Sequence, residues 1–234
     1  MFGRKLPCVW VVVVAICLRA MGAEEAKPPA AVPGWGVAVD HVGDSKVSLE
    51  EGTLTITVPG AYRDLWPRKG EVNAPLVLQD VEGDFTAVVK VVSVERAERD
   101  SVISGLASSV SFHAGTFVLW QDPENFVRLD RTNMNKAGRA ITSCYLHVFK
   151  DGTRTVELAP LVADRPTHLR FERRGERLTV AYSQDGGKTW QPFPAQNISW
   201  PEKVQVGVAA LNNTNLPCSI QFAELEVRRS EDAP

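Results

Sequence analysis

Cysteine is scarce in this chain, and half of it lies in a segment that does not reach the fold. Of the four cysteines, Cys8 and Cys17 sit in an N-terminal apolar run. Only Cys144 and Cys218 remain beyond it. Two thiolates cannot make a thiolate zinc site, which takes three or four ligands. Basic blocks are missing as well. Lys and Arg number 26 against 28 Asp and Glu, a formal charge of −2, which argues against nucleic acid and anionic membrane partners. No stretch sustains a 3.6-residue apolar period, so long helices are absent. No G-x-S-x-G elbow, P-loop or H-E-x-x-H motif occurs, and His41, His113, His147 and His168 form no H-x-H pair. Nucleophile and cofactor chemistry therefore has no support.

The one long apolar run is Cys8 to Leu18, preceded by Arg4 and Lys5 and followed by Ala20-Met21-Gly22. This reads as a secretory signal of residues 1–22, too short to span a bilayer as a stable helix. Cleavage after Gly22 or Ala23 fits equally; an uncleaved anchor is the alternative. Ile16 is too large for lipoprotein processing at Cys17. The expectation is a secreted protein, periplasmic or extracellular, with no membrane span once the signal is gone. Its 212 residues bury a sizeable core. Without Arg4, Lys5 and Arg19 the formal charge of −2 becomes −5. In an oxidising compartment Cys144 and Cys218 are either a disulfide, stabilising by about 4 kcal/mol in the chain-entropy model, or two buried thiols.

What the chain has is strands. Residues 23–33 are rich in Ala, Pro and Glu and read as a flexible linker. From Gly34 short alternating segments follow one another, separated by turn formers. The clearest is a hairpin of Thr116–Trp120 and Asn125–Asp130 around Gln121-Asp122-Pro123-Glu124. If Phe117, Leu119, Val127 and Leu129 face a core, then Val118, Trp120, Phe126, Arg128 and Asp130 share the other face. Leu54, Ile56 and Val58 alternate with threonines. Asp151-Gly152 is a two-residue turn signal. Pro59 to Asn73 reads as a long irregular loop. About a dozen strands joined by hairpins predict one all-β domain over 34–230, a sandwich of two antiparallel sheets.

Several motifs have both a structural and a functional reading. Ser183 to Trp190 matches the Asp-box S-x-D-x-G-x-T-W, which specifies a local hairpin. It occurs once, and the chain is too short for a six-bladed propeller. Glycoside hydrolysis needs two facing carboxylates. Glu224 and Glu226 have the spacing but sit beside Arg228 and Arg229, as on a solvated edge. Asp122, Glu124 and Asp130 hold the turn or, as oxygen donors, a structural calcium. No other cofactor is implied. The aromatics carry the functional reading. Sugar rings stack on aromatic side chains while planar polar groups bind their hydroxyls, and Trp66, Asn73, Gln79, Trp120, Gln121, Phe126 and Arg128 supply both. The bland alternative is that Trp66 pins its loop and Trp120 packs in the sandwich.

With these residues in view the chain resembles the DUF1349 family of secreted concanavalin A-like jelly rolls. The likeness rests on Asp64-Leu65-Trp66-Pro67, Asn73-Ala74-Pro75, Gly83-Asp84-Phe85-Thr86, Leu119-Trp120-Gln121-Asp122, Asn125-Phe126-Val127-Arg128-Leu129 and the Asp-box from Tyr182 to Trp190. It implies two curved antiparallel sheets and kinship with β-sandwich modules appended to some glycoside hydrolases, but no catalytic residue. The leading expectation is a non-catalytic module that recognises a carbohydrate or glycoconjugate on its concave sheet. A small glycan-active hydrolase or lyase, and a structural or protein-interaction module of the cell envelope, are the alternatives.

Overall fold

The computed structural model describes residues 30–98, 101 and 110–229. The expected signal segment and most of the expected linker lie outside the described residues. In chain order the strands are β1 (Ala30–Val32), β2 (Gly36–Val39), β3 (Lys46–Glu50), β4 (Thr53–Val58), β5 (Leu65–Trp66), β6 (Glu71–Val72), β7 (Leu76–Glu82), β8 (Phe85–Val94) and β9 (Val110–Asp122). They continue as β10 (Asn125–Lys136), β11 (Arg139–Lys150), β12 (Thr153–Leu158), β13 (Thr167–Arg174), β14 (Arg177–Ser183), β15 (Gln191–Pro192), β16 (Gln196–Asn197), β17 (Lys203–Asn212) and β18 (Cys218–Arg229).

Two antiparallel sheets form a jelly-roll sandwich. The larger has the order β1-β2-β7-β17-β9-β10-β11-β12, and the facing one β15-β14-β13-β8-β18-β4-β3. Period-2 patterning decides which side chains meet between them. Leu54, Ile56 and Val58 of β4, Phe85, Ala87 and Val89 of β8, and Phe117, Leu119, Val127 and Leu129 of the β9–β10 hairpin share one core. Phe117 and Phe171 stack across it, centroids 4.6 Å apart. At Gly115 the facing sheet leaves no room for a side chain: a Cβ there would lie 2.8 Å from Val91 and 2.9 Å from Ile220.

Three expectations change. Ala30–Val32 is a strand paired with β2, with Val32 in the core, rather than linker. Pro59 to Asn73 is not wholly irregular: β5 and β6 pair as a small hairpin over a 3-10 turn at Pro67–Lys69. The central hairpin strands extend well past the expected bounds, β9 beginning at Val110 and β10 ending at Lys136.

Cys144 and Cys218 are free, buried thiols on opposite sheets. Of the two readings the structure takes the buried pair, and burial pushes both thiols up to about 12. Glu224 and Glu226 each hold ion pairs of their own. A bulge in β18 puts Glu224 at φ +55°, where it binds Lys90 and His168, while Glu226 binds Arg228.

Candidate functional site

The outer face of the larger sheet carries a second apolar cluster and, next to it, a polar cavity. Register fixes both. Phe126 pairs with Trp120 and Phe149, and two residues along, Arg128 pairs with Val118 and His147. Trp120 stacks on Phe126 at 4.9 Å, and Phe126 on Phe149 at 4.5 Å. The β5–β6 hairpin closes over this end: Leu65 is fully buried in the cluster, and Trp66 meets Phe149 edge-on at 5.8 Å.

The hairpin is tied down by polar contacts. Asn73 Oδ1 accepts from Asp64 N–H at 2.9 Å, and Asn73 Nδ2 donates to Tyr62 O at 3.3 Å. Arg63 forms a bridge to Asn212 of β17. Asp64, brought over the sheet in this way, accepts from Arg128 Nη1, from its neighbour Leu65 N–H and from Tyr62 OH. Arg128 also donates to Leu65 O at 3.2 Å.

Past the covered end the sheet opens into a cavity of about 350 Å³. Its floor is the same face of β10 and β11: Arg128, Asp130, Thr132, Met134, Tyr145 and His147. Tyr62, Asp64, Trp66 and Lys69 wall it on the hairpin side, and Arg154 and Glu157 of β12 on the other. Asp130 is 3% exposed; it accepts from Thr116 Oγ1 at 2.9 Å and lies 3.2 Å from Arg128 Nε and 3.6 Å from His147 Nε2. Burial raises its carboxyl to about 6, against the pull of Arg128. Burial, with Arg128 and Arg154 nearby, holds His147 well below the ordinary histidine range, so its ring is neutral at pH 7. Tyr145 lies parallel to that ring at 5.5 Å. Arg154 is held over Trp66 at 4.5 Å and paired with Glu157.

The expected site residues divide. Trp66 and Arg128 line the cavity. Trp120 and Phe126 lie on the expected face but are buried beneath the hairpin cover, so neither offers a ring to a ligand. Asn73 holds the hairpin. Gln79 and Gln121 fall on the inward-facing parity of their strands, with Val77 and Val81 and with Leu119, so they point away from the cavity. Asp122 caps the β9–β10 turn, accepting from the N–H groups of Glu124 and Asn125, while Asp130 sits in the sheet; these do not converge on an ion. Among the described residues no group of three or more His, Cys, Asp or Glu is placed to hold a metal.

The sequence reading missed Tyr62, Asp64, Tyr145, Arg154 and Glu157. Tyr145 and His147 were visible as alternate residues of one strand, but nothing local placed that strand beside β10. The Asp-box forms as expected: Asp185 accepts from Thr189 N–H and Oγ1, and Gly186 and Gly187 take positive φ. Its Trp190 ring carries Arg170 at 4.3 Å, which is a local structural role.

Two antiparallel sheets in jelly-roll order, with one outer face opening into a polar, aromatic-walled cavity, define a concanavalin A-like β-sandwich. Residues 43–230 match the model of DUF1349, described as a protein of unknown function, and the chain belongs to that family. No curated protein matches it. Its fold is similar to that of a functionally unknown protein from Saccharomyces cerevisiae, at 16% identity and TM-score 0.60, covering 79% of this chain and 91% of that one. It is also similar to the GH43 BlXynB protein from Bacillus licheniformis, at 12% identity and TM-score 0.56, covering 76% of this chain and 33% of that one. A third likeness is to the CBM2 module of the evolved Dit of Lactobacillus casei BL23 phage J-1, at 9% identity and TM-score 0.52, covering 78% of each. The chain thus spans about a third of BlXynB. At these identities the likeness is one of fold.

Proposed function

We propose that this is a secreted, non-catalytic carbohydrate-binding module whose glycan sits in the cavity over β10 and β11. The observation that carries the reading is the build of that cavity. Aromatic side chains in the wall (Tyr62, Trp66) and floor (Tyr145) adjoin polar groups locked by the Asp64–Arg128–Asp130 network. Sugar rings stack on aromatic faces while fixed polar groups take their hydroxyls, and prior fixation of those groups lowers the ordering cost of binding. The fold shared with a CBM2 module and with a GH43 protein is consistent with this, as an argument from analogy.

The test is a glycan microarray followed by titration calorimetry on the chain freed of residues 1–22. Tyr145 is half-buried, and among the described residues its hydroxyl hydrogen-bonds only Met134 Sδ, at 4.0 Å. Tyr145→Ala should therefore keep the fold and lose binding. Glycan affinity unchanged in that variant would remove the site from this cavity.

A second reading, a glycan-active hydrolase or lyase, is favoured by one feature: a carboxyl held up to about 6 beside a neutral histidine, a common device for proton transfer. Against it, both Asp130 oxygens are already engaged within the protein. Polysaccharide turnover by clean protein, lost in His147→Ala, would decide for the enzyme. Neither binding nor turnover would leave an interaction module of the envelope.

A further inference from the structure

The hydrogen-bonding groups left unused at the cavity say what kind of sugar fits. Every carboxylate that lines it already has a partner of its own. Asp64 is held by Arg128 and Tyr62, Asp130 by Thr116 and Arg128, and Glu157 by Arg154. The cations are less committed. Lys69 and Lys136 line the cavity, are exposed and make no ion pair among the described residues; Lys69 has only the Trp66 ring, at 5.2 Å. Arg128 is 3% exposed and lines the floor. Its Nη1 is bonded, its Nε is ion-paired with Asp130 at 3.2 Å without a hydrogen bond, and its Nη2 has no acceptor among the described residues.

Four cationic side chains (Lys69, Arg128, Lys136, Arg154) thus face three engaged carboxylates on a chain that is acidic overall. An isolated excess of positive charge in a concave site draws an anion and focuses its approach. Acceptors are fewer: Asn213 Oδ1 and His147 Nδ1, both buried without a partner.

Resting on the carbohydrate reading above, we infer that the cavity recognises an acidic saccharide, its anionic substituent held by Arg128 Nη2, Lys69 and Lys136. A carboxylate of a uronic acid and a sulfate ester present the same acceptor chemistry, and the ligands below tell them apart.

Calorimetric titration of the chain without residues 1–22 would compare a galacturonic acid oligosaccharide, a sulfated oligosaccharide and a neutral xylo-oligosaccharide of equal length. The acidic ligands should bind and the neutral one should bind at least about tenfold more weakly, with affinity falling as salt rises from about 0.05 to 0.5 M. Lys69→Gln with Lys136→Gln should weaken acidic-sugar binding about fivefold, in line with two solvent-screened contacts. Both lysines are exposed, so an unchanged thermal melt is expected and serves as the control for folding. Preference for one anion identifies the substituent. Equal or tighter binding of the neutral sugar, with no effect of the lysine changes, overturns the inference and leaves carbohydrate binding standing. No binding of any saccharide overturns both.

Discussion

Arg128 and Asp64 form an ion pair across 64 positions of sequence, with side chains 3% and 4% exposed. Arg128 belongs to the sheet and Asp64 to the hairpin laid over it. This contact joins cover to floor and fixes one wall of the cavity. Leaving one member of such a pair buried alone costs more than the pair contributes. Asp64→Ala should destabilise the protein by about 3–5 kcal/mol, read as a lower urea midpoint. It should also loosen the hairpin, seen as faster amide exchange at Leu65 and Trp66. A loss under 1 kcal/mol would mean that the cover is held by its apolar contacts alone.

Trp120 now has a stability role. It sits at the end of the Trp120–Phe126–Phe149 stack, in the cluster that also buries Leu65. Trp120→Ala opens a void the surrounding sheet cannot close, at about 3–5 kcal/mol. The expected result is a lower melting temperature with saccharide affinity kept at temperatures where the variant is folded. Lost affinity in a variant as stable as the parent would return Trp120 to the binding site.

The faces of the central hairpin were legible because a strand side chain can only point one of two ways. Phe117, Leu119, Val127 and Leu129 lie inward as the alternation requires, and Val118, Trp120, Phe126 and Arg128 lie outward. The same parity excludes Gln79 and Gln121. What no local pattern carries is the cover. Residues 59–73 lack alternation, and their seat depends on partners far along the chain, Asn212 for Arg63 and Arg128 for Asp64. An exposed aromatic face and a covered one look alike until those long-range contacts are known.

The thiols offer a direct check on the sandwich. Cys144 and Cys218 are 0% and 1% exposed, one in each sheet, and pushed up to about 12. Reactivity needs thiolate and access. Neither should label with iodoacetamide in the native protein at pH 8, and both should label after unfolding without reductant. A mass two daltons low, with no labelling in denaturant, would show a disulfide and require the sheets to pack differently at these positions.

Asp130 gives stability a pH dependence of unusual sign. Its folded carboxyl titrates near 6, above the ordinary 3.8, with Arg128, Asp64, His147, Tyr145 and Thr116 around it. Between those values the folded state binds the proton that the unfolded chain has released. This group's contribution therefore favours folding more as pH falls from about 6 towards 4, and less as pH rises. His147 works the other way. Held neutral when folded, it stabilises above the ordinary histidine range relative to below it, since the unfolded chain takes up the proton first. The two partly cancel, so the wild-type curve alone is a poor reporter. The difference between wild type and Asp130→Asn isolates the carboxyl. Asparagine fills the same volume without the charge, so its stability relative to wild type should be most favourable at pH 7 and shrink towards pH 4 in urea titrations. A flat difference, or one that grows in acid, would mean that Arg128 holds Asp130 ionised throughout. If the difference runs as expected, an acidic sugar should bind more tightly at pH 5 than at pH 7. Protonating Asp130 removes a negative charge from beside the guanidinium that receives it.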